Sequence, residues 1–273
     1  MKKKVKEVHD EWQIDAKENL TLQDGSRACY LNIVDKKSGA VLASHCFGKK
    51  NINQVKETVV RDALIDSFQN WGKPKSIRVD NGHPLGDPQR KSISTLGLWI
   101  IACGIDLIYN RPRRPTDNAS VERMQQTTKN WAEIRKAKNL EDLQLRLDHI
   151  GVIQRESYKV SRLKNQTRKE IFPQLWLNPN EYQQKDFAAD RAFATLEQRL
   201  LVRIANKSGR IALYGHYYTI GRKYARLEVA VRFISATCSW EVFDKTGKFL
   251  KRIFASNFTK ERLWDLTLPK NNT

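Results

Sequence analysis

The chain has 273 residues and a mass of 31.7 kDa, enough for one substantial domain plus a smaller one and too little for a large multidomain assembly. Forty-nine Lys and Arg against 30 Asp and Glu leave a net charge of +19, which draws the molecule toward polyanions and makes nucleic acid the leading partner. A hydrophobic content of 40% excludes a disordered basic tail, and the absence of a long apolar run argues against membrane insertion or secretion, so a cytoplasmic protein is expected.

In chain order, Trp12–Lys17, Arg27–Asp35 and Val41–Gly48 read as strands joined by turns at Asp24-Gly25 and Ser38-Gly39, an antiparallel meander. Asn53–Trp71 carries Val55, Val59, Ala63, Leu64 and Phe68 on a helical stripe, with Asn53 as cap and Gly72 and Pro74 as stop. Lys75–Asp80 reads as a strand, Thr95–Cys103 as a helix closed by Gly104, and Ile105–Tyr109 as a further strand. Helical patterns follow at Asp117–Lys138 and Glu141–Tyr158, the second with Leu143, Leu147, Ile150 and Ile153 on one face. Thr167–Asp190 reads as a connector with some helix. Short alternating segments at Leu200–Ala205, Ile211–Leu213, Tyr217–Ile220, Leu227–Phe233, Ser239–Phe243 and Phe249–Phe254 then indicate a small β-barrel. Residues 196–257 hold 12 basic against 4 acidic residues, a net of +8. Cys29, Cys46, Cys103 and Cys238 lack the spacing of a disulfide framework or a zinc site.

Three carboxylates stand where polar residues need a reason. Asp15 interrupts the first strand, Asp80 ends the fourth, and Glu122 lies in the helix after Pro115. Gathering three acids raises their mutual repulsion, and a divalent cation resolves it. Mg²⁺ takes oxygen ligands and is suited to phosphodiester chemistry, with two ions expected at such a site, or Mn²⁺ in their place.

The segments Trp12-Gln13-Ile14-Asp15, Arg78-Val79-Asp80-Asn81-Gly82 and Arg111-Pro112-Arg113-Arg114-Pro115-Thr116-Asp117-Asn118-Ala119-Ser120-Val121-Glu122-Arg123 together resemble the catalytic core of DDE transposases and retroviral integrases. The likeness is greatest to bacterial insertion-sequence transposases with a phage Mu transposase-like C-terminal barrel. It implies an α/β, RNase H-like mixed five-stranded sheet flanked by helices over residues 10–175, a linker at 176–195, a small basic β-barrel for DNA binding or assembly at 196–257, and a tail at 258–273. It also implies Asp15, Asp80 and Glu122 as catalytic metal ligands, cleavage at transposon ends and strand transfer into target DNA without a covalent enzyme intermediate, and a homo-oligomer on double-stranded DNA in a nucleoid-associated, bacterial setting. Asn81 and Gly82 match the turn after the second Asp. End recognition then falls to a domain missing from this chain, to a separate chain, or to the barrel.

Around this core, Arg123, Gln126 and Lys129 follow Glu122 along the helix, Gln126 and Lys129 on its own face, where they could reach DNA or be a solvated surface. Arg111, Arg113 and Arg114, stiffened by Pro112 and Pro115, form a cationic loop that either contacts phosphate or is solvent-exposed. Arg155, Lys159, Arg162, Lys164, Arg168 and Lys169 make either a second DNA track or a solvated face, and His83 is either a loop residue or a water-polarising group. In the barrel, Tyr214, Tyr217 and Tyr218 near Arg222 and Lys223 serve DNA or the core. The competing class is a non-catalytic DNA-binding or architectural subunit, which has no use for the three acids.

Overall fold

The computed structural model describes residues 5–48, 56–80, 86–87, 92–110, 119–178, 180–214 and 216–265. Its strands are β1 (Glu11–Thr21), β2 (Arg27–Asp35), β3 (Val41–Phe47), β4 (Ser76–Val79), β5 (Gly86–Asp87), β6 (Ser92–Ile93), β7 (Asp106–Tyr109), β8 (Leu201–Ile204), β9 (Arg210–Leu213), β10 (His216–Thr219), β11 (Glu228–Ile234), β12 (Ser239–Phe243) and β13 (Phe249–Phe254). The α-helices are α1 (Glu57–Trp71), α2 (Thr95–Ala102), α3 (Ala119–Trp131), α4 (Leu140–Val152), α5 (Arg168–Ile171), α6 (Ala189–Glu197) and α7 (Lys260–Trp264). Among the described residues no helix is long and apolar enough to cross a membrane. The chain divides into two units, Met1–Pro84 with Ile105–Gln183, and Leu85–Gly104 with Gln184–Thr273.

The first unit is built on a mixed five-stranded sheet of order β3-β2-β1-β4-β7. The meander β1–β2–β3 is antiparallel, while β4 and β7 join as parallel strands. This helix-flanked, mixed five-stranded sheet is the arrangement expected above. Side-chain alternation assigns its two faces. Trp12, Ile14, Ile33, Ile77 and Val79 line one, where Phe68 of α1 lies 5.8 Å from the Trp12 ring. On the other, Met124 of α3 packs against Val34 and Val41, and Ala132, Leu143 and Leu147 join Leu20, Ala28 and Tyr30.

As an edge strand, β3 presents outward backbone groups that need partners. Two glutamines act as stand-in strands. Gln144 accepts from Cys46 N at 2.9 Å and donates to Ser44 O at 2.8 Å, while Gln154 accepts from Val41 N at 3.0 Å and donates to Gly39 O at 2.8 Å. Gln154 reaches inward because α4 ends at Val152 and the next turn, Ile153–Ser157, widens into a π-helix, so the continuous helix expected to Tyr158 is not formed. The helix expected from Asp117 to Lys138 is likewise broken at Glu133, whose φ of 46° is left-handed. The basic cluster after α4 is mostly scaffold. Arg155 donates to Val41 O at 2.7 Å, Arg162 to Ser38 O at 2.9 Å, and Arg168 to Gly39 O at 3.1 Å, with burial lowering the Arg168 pKa to about 10. Lys169 is paired with Glu156 at 2.5 Å. Gln154→Leu strands a buried amide and carbonyl and is expected to cost about 2–4 kcal/mol in a urea denaturation experiment, whereas Lys159→Ala, a change on the exposed surface, leaves the midpoint in place.

In the second unit, Ser94 caps α2 by accepting from Gly97 N at 3.0 Å, and α2 packs against α6 and α7. The segment 176–195 contains most of α6, which buries Ala189, Ala192, Phe193 and Leu196, an i, i+3, i+4, i+7 face that needs an apolar partner; Phe193 meets Phe233 at 5.4 Å. The segment 258–273 begins with Phe258 and Leu263, both fully buried. The sheet β13-β12-β11-β8 faces inward with Leu201, Val229, Val231, Phe233, Trp240 and Val242. Arg203 of β8 donates to Ala212 O at 3.0 Å and Lys251 of β13 to Thr219 O at 3.2 Å, so side chains tie both sheet edges to the β9–β10 hairpin.

Candidate functional site

On β1, Gln13, Asp15 and Lys17 face α3, because Asp15 pairs with Asn32 across the ladder and Asn32 Nδ2 lies 3.5 Å from Thr128 Oγ1 on that helix. Asp15 is half-buried and accepts from Ala16 N at 3.0 Å. Parallel pairing of β1 with β4 sets Ile14 beside Val79, so one step further Asp80 follows as the neighbour of Asp15, on the same face. Adjacent strands run about 4.8 Å apart, so two carboxylates rise side by side at the end of β4. Asp80 is exposed. Arg78, on the same face, is held in a bidentate ion pair by Glu11 at 2.7 and 3.0 Å.

Glu122 is the fourth residue of α3. Met124, Val34 and Val41 meet at one end of this helix, Thr128 and Asn32 in the middle, and Ala132, Ala28 and Tyr30 at the other, so α3 runs antiparallel to β2 over the face that carries Asp15. It packs on both β1 and β2. With the buried row at Gln125, Thr128 and Ala132, position 122 falls on the flank between the packed and the open side. Beneath α3 the Tyr30 phenol is pushed up, by burial first and then by the charge of Asp15.

Such a donor set, oxygen only and negatively charged, fits a hard divalent cation. Among the described residues no three His, Cys, Asp or Glu side chains gather. Glu122, the third acid expected, lies in α3, which packs on β1 and β2.

The remaining expected residues divide three ways. Gln126 and Lys129 are exposed on α3, Gln126 donating to Asn130 Oδ1 at 3.0 Å, and Arg123 lies in the same helix. Arg222 and Lys223 are exposed in the second unit, on the turn after Gly221, with Lys223 Nζ 4.9 Å from the Tyr224 ring. Asn81, Gly82, His83, Arg111, Arg113 and Arg114 lie outside the described residues. Tyr214 and Tyr218 are buried and belong to the core, leaving exposed Tyr217, with Arg210 5.9 Å from its ring, as the tyrosine open to a ligand.

One residue escaped the sequence reading. Gln125, one turn after Glu122, is 6% exposed, and neither atom of its amide has a hydrogen-bond partner among the described residues. The signal was its phase, three residues before Thr128 on the packed face, but flanking polar residues hid it.

Elsewhere in the first unit, a cavity of about 310 Å³ lined by Phe68, Trp71, Trp176 and Tyr182 lies at the end of α1, on the opposite sheet face from the carboxylates.

No known family profile matches the chain. Among solved structures, the magnesium-complexed integrase catalytic core domain of HTLV-2 aligns over 61% of this chain and 97% of its own at 20% identity and a TM-score of 0.44. The BIV integrase catalytic core domain aligns over 61% and 95% at 17% identity and a TM-score of 0.42. A simian T-cell lymphotropic virus intasome chain aligns over 90% and 79% at 15% identity and a TM-score of 0.47.

Proposed function

We propose that this chain is a metal-dependent DNA strand transferase of the bacterial insertion-sequence kind, acting as a homo-oligomer on double-stranded DNA in the cytoplasm. The observation that carries this reading is the parallel β1–β4 register, which sets Asp15 beside Asp80 under the helix that bears Glu122. Mg²⁺ or Mn²⁺ held by Asp15, Asp80 and Glu122 would supply positive charge to the phosphodiester oxygens. The protein's own share is positioning. β1 carries Asp15, Asp80 follows β4 and α3 carries Glu122, and the exposed row of Gln126 and Lys129 would offer a donor and a cation to DNA next to them. An architectural subunit needs only the basic surface, so the acids discriminate between the two.

Strand transfer with paired end oligonucleotides and Mg²⁺ tests the reading. Wild type is expected to join ends, and Glu122→Gln to bind DNA without joining. Joining by Glu122→Gln would refute the assignment; binding without joining by wild type, with and without an added end-recognition chain, would favour the architectural subunit. Binding itself is expected to weaken steeply with salt, and the double change Arg222→Ala with Lys223→Ala to lower the log–log salt slope by about 2. An unchanged slope removes those two residues from the DNA contact.

A further inference from the structure

Strand pairing assigns every side chain of the four-stranded sheet to one of two faces. The inward face is the apolar core already described. The outward face holds Ile204 and Glu228; then Val202, Ala230, Phe243 and Phe249 in a row across all four strands; then Arg232, Glu241 and Arg252; and finally Ile234, Ser239 and Phe254. A solvated sheet face alternates to polar residues. This one leaves Val202 48%, Ile204 69%, Phe249 50% and Phe254 62% exposed. Large apolar side chains exposed on both sides of an ionic row mark a contact.

Charge identifies what covers it. Residues 196–257 carry +8, yet this face bears Glu228, Glu241, Arg232 and Arg252, which cancel. Two of the four acids in that segment lie here, so the whole excess of positive charge lies off this face. A polyanion gains nothing from a neutral apolar surface, and neither does a strongly charged protein partner. A neutral face with both signs on it can meet itself. Its centre is locked, with Glu241 accepting from Arg232 and Arg252 at 2.7 Å each and Arg232 lying 5.0 Å from the Phe243 ring. Glu228 has no ion-pair partner among the described residues and can face the half-exposed guanidinium groups of a second copy.

We infer that the outward face of β13-β12-β11-β8 is the contact surface between two copies of this chain, and that DNA is held elsewhere on the unit. The contact is apolar at its rim and ionic only at its centre, so salt affects it differently from DNA binding. Each copy carries +19, and screening that repulsion favours association. The inference stands independently of the metal chemistry proposed above.

Sedimentation equilibrium of the full chain without DNA tests it. Wild type is expected to sediment at twice 31.7 kDa, with dimerisation unchanged or strengthened between low and high salt. Ile204→Asp and Phe254→Asp, both at exposed positions, are each expected to weaken dimerisation roughly tenfold or more with the melting temperature kept. Tyr217→Asp, exposed on the hairpin, is expected to leave it intact. A monomeric wild type throughout the micromolar range, a dimer indifferent to both face substitutions, or equal weakening by Tyr217→Asp would each overturn the assignment. Because strand transfer by Glu122→Gln is read separately, failure here and failure of the proposed activity are distinct results.

Discussion

Asp80→Asn is expected to remove strand transfer by about 10³-fold or more while slightly raising the melting temperature of the metal-free protein. The two effects share one cause. Asp80 follows Val79 in parallel register with β1, so its carboxylate is the lateral neighbour of Asp15. At the solvent-exposed end of a strand, two like charges about 5 Å apart repel by on the order of 1 kcal/mol, and a neutral amide relieves that cost. Under the proposed function the same change would also remove an anionic oxygen ligand, and loss of several kcal/mol of transition-state charge stabilisation corresponds to the expected fall in rate. The diagnostic measurement is thermal melting with and without Mg²⁺. Wild type is expected to gain about 2.7 kcal/mol at a Mg²⁺ concentration one hundred times its dissociation constant, and Asp80→Asn to gain little. Equal Mg²⁺ stabilisation of both proteins would remove Asp80 from the metal site. Asp15→Asn is expected to behave alike in activity, though its half-buried position leaves less stability to recover.

Much of this sheet was legible in the sequence because period-2 alternation survives wherever one face is packed. The strand read at Arg27–Asp35 is β2 residue for residue. In β1 the alternation stops at Lys17, although the strand continues to Thr21, because the register shifts between Lys17 and Leu20, where Asn19 takes a φ of 58°. A bulge of this kind inverts the pattern beyond it, so the second half reads as loop. Helix ends suffered similarly. The apolar period runs smoothly through Glu133 and Ile153, and nothing in residue type announces a left-handed residue at one and a π-turn at the other.

Charge was the less reliable guide. Six basic residues between 155 and 169 read equally as a DNA track or a solvated face, because a guanidinium that reaches a backbone carbonyl looks in sequence like one that reaches a phosphate. Arg155, Arg162 and Arg168 spend their donors on the Ser38–Leu42 edge, which lies over a hundred residues away in sequence. Likewise, Asp15 and Asp80 were marked in the sequence less by their charge than by their places, a strand interior and a strand end. The juxtaposition of Asp15 with Asp80 came from the register, which needs the parallel pairing of strands separated by two hairpins and a helix.

Gln125→Leu is expected to stabilise the protein and slow its chemistry together. Among the described residues the buried Gln125 amide has neither donor nor acceptor satisfied, which costs free energy that an apolar side chain of similar size avoids, so a gain of about 1–3 kcal/mol is expected in denaturant unfolding. A packed helix face retains such a residue at a cost, which implies a use. Gln125 lies one turn beyond Glu122, on the packed side of α3 beside the β1–β2 pair that carries Asp15 and Asn32. If the carboxylates hold a metal as proposed, its amide would be placed to orient them, a positioning role whose removal typically costs 10–100-fold in metal affinity or activity, about 1.4–2.8 kcal/mol. The readouts are unfolding midpoint, DNA affinity and the Mg²⁺ dependence of strand transfer. For Gln125→Leu the first should rise, the second stay fixed, and the third shift to higher Mg²⁺. Gln125→Asn keeps an amide on a shorter arm and should recover part of the Mg²⁺ affinity. A stabilised Leu variant with wild-type Mg²⁺ dependence would leave the amide as an uncompensated packing fault, and a destabilised one would show that it makes contacts beyond those in the resting site.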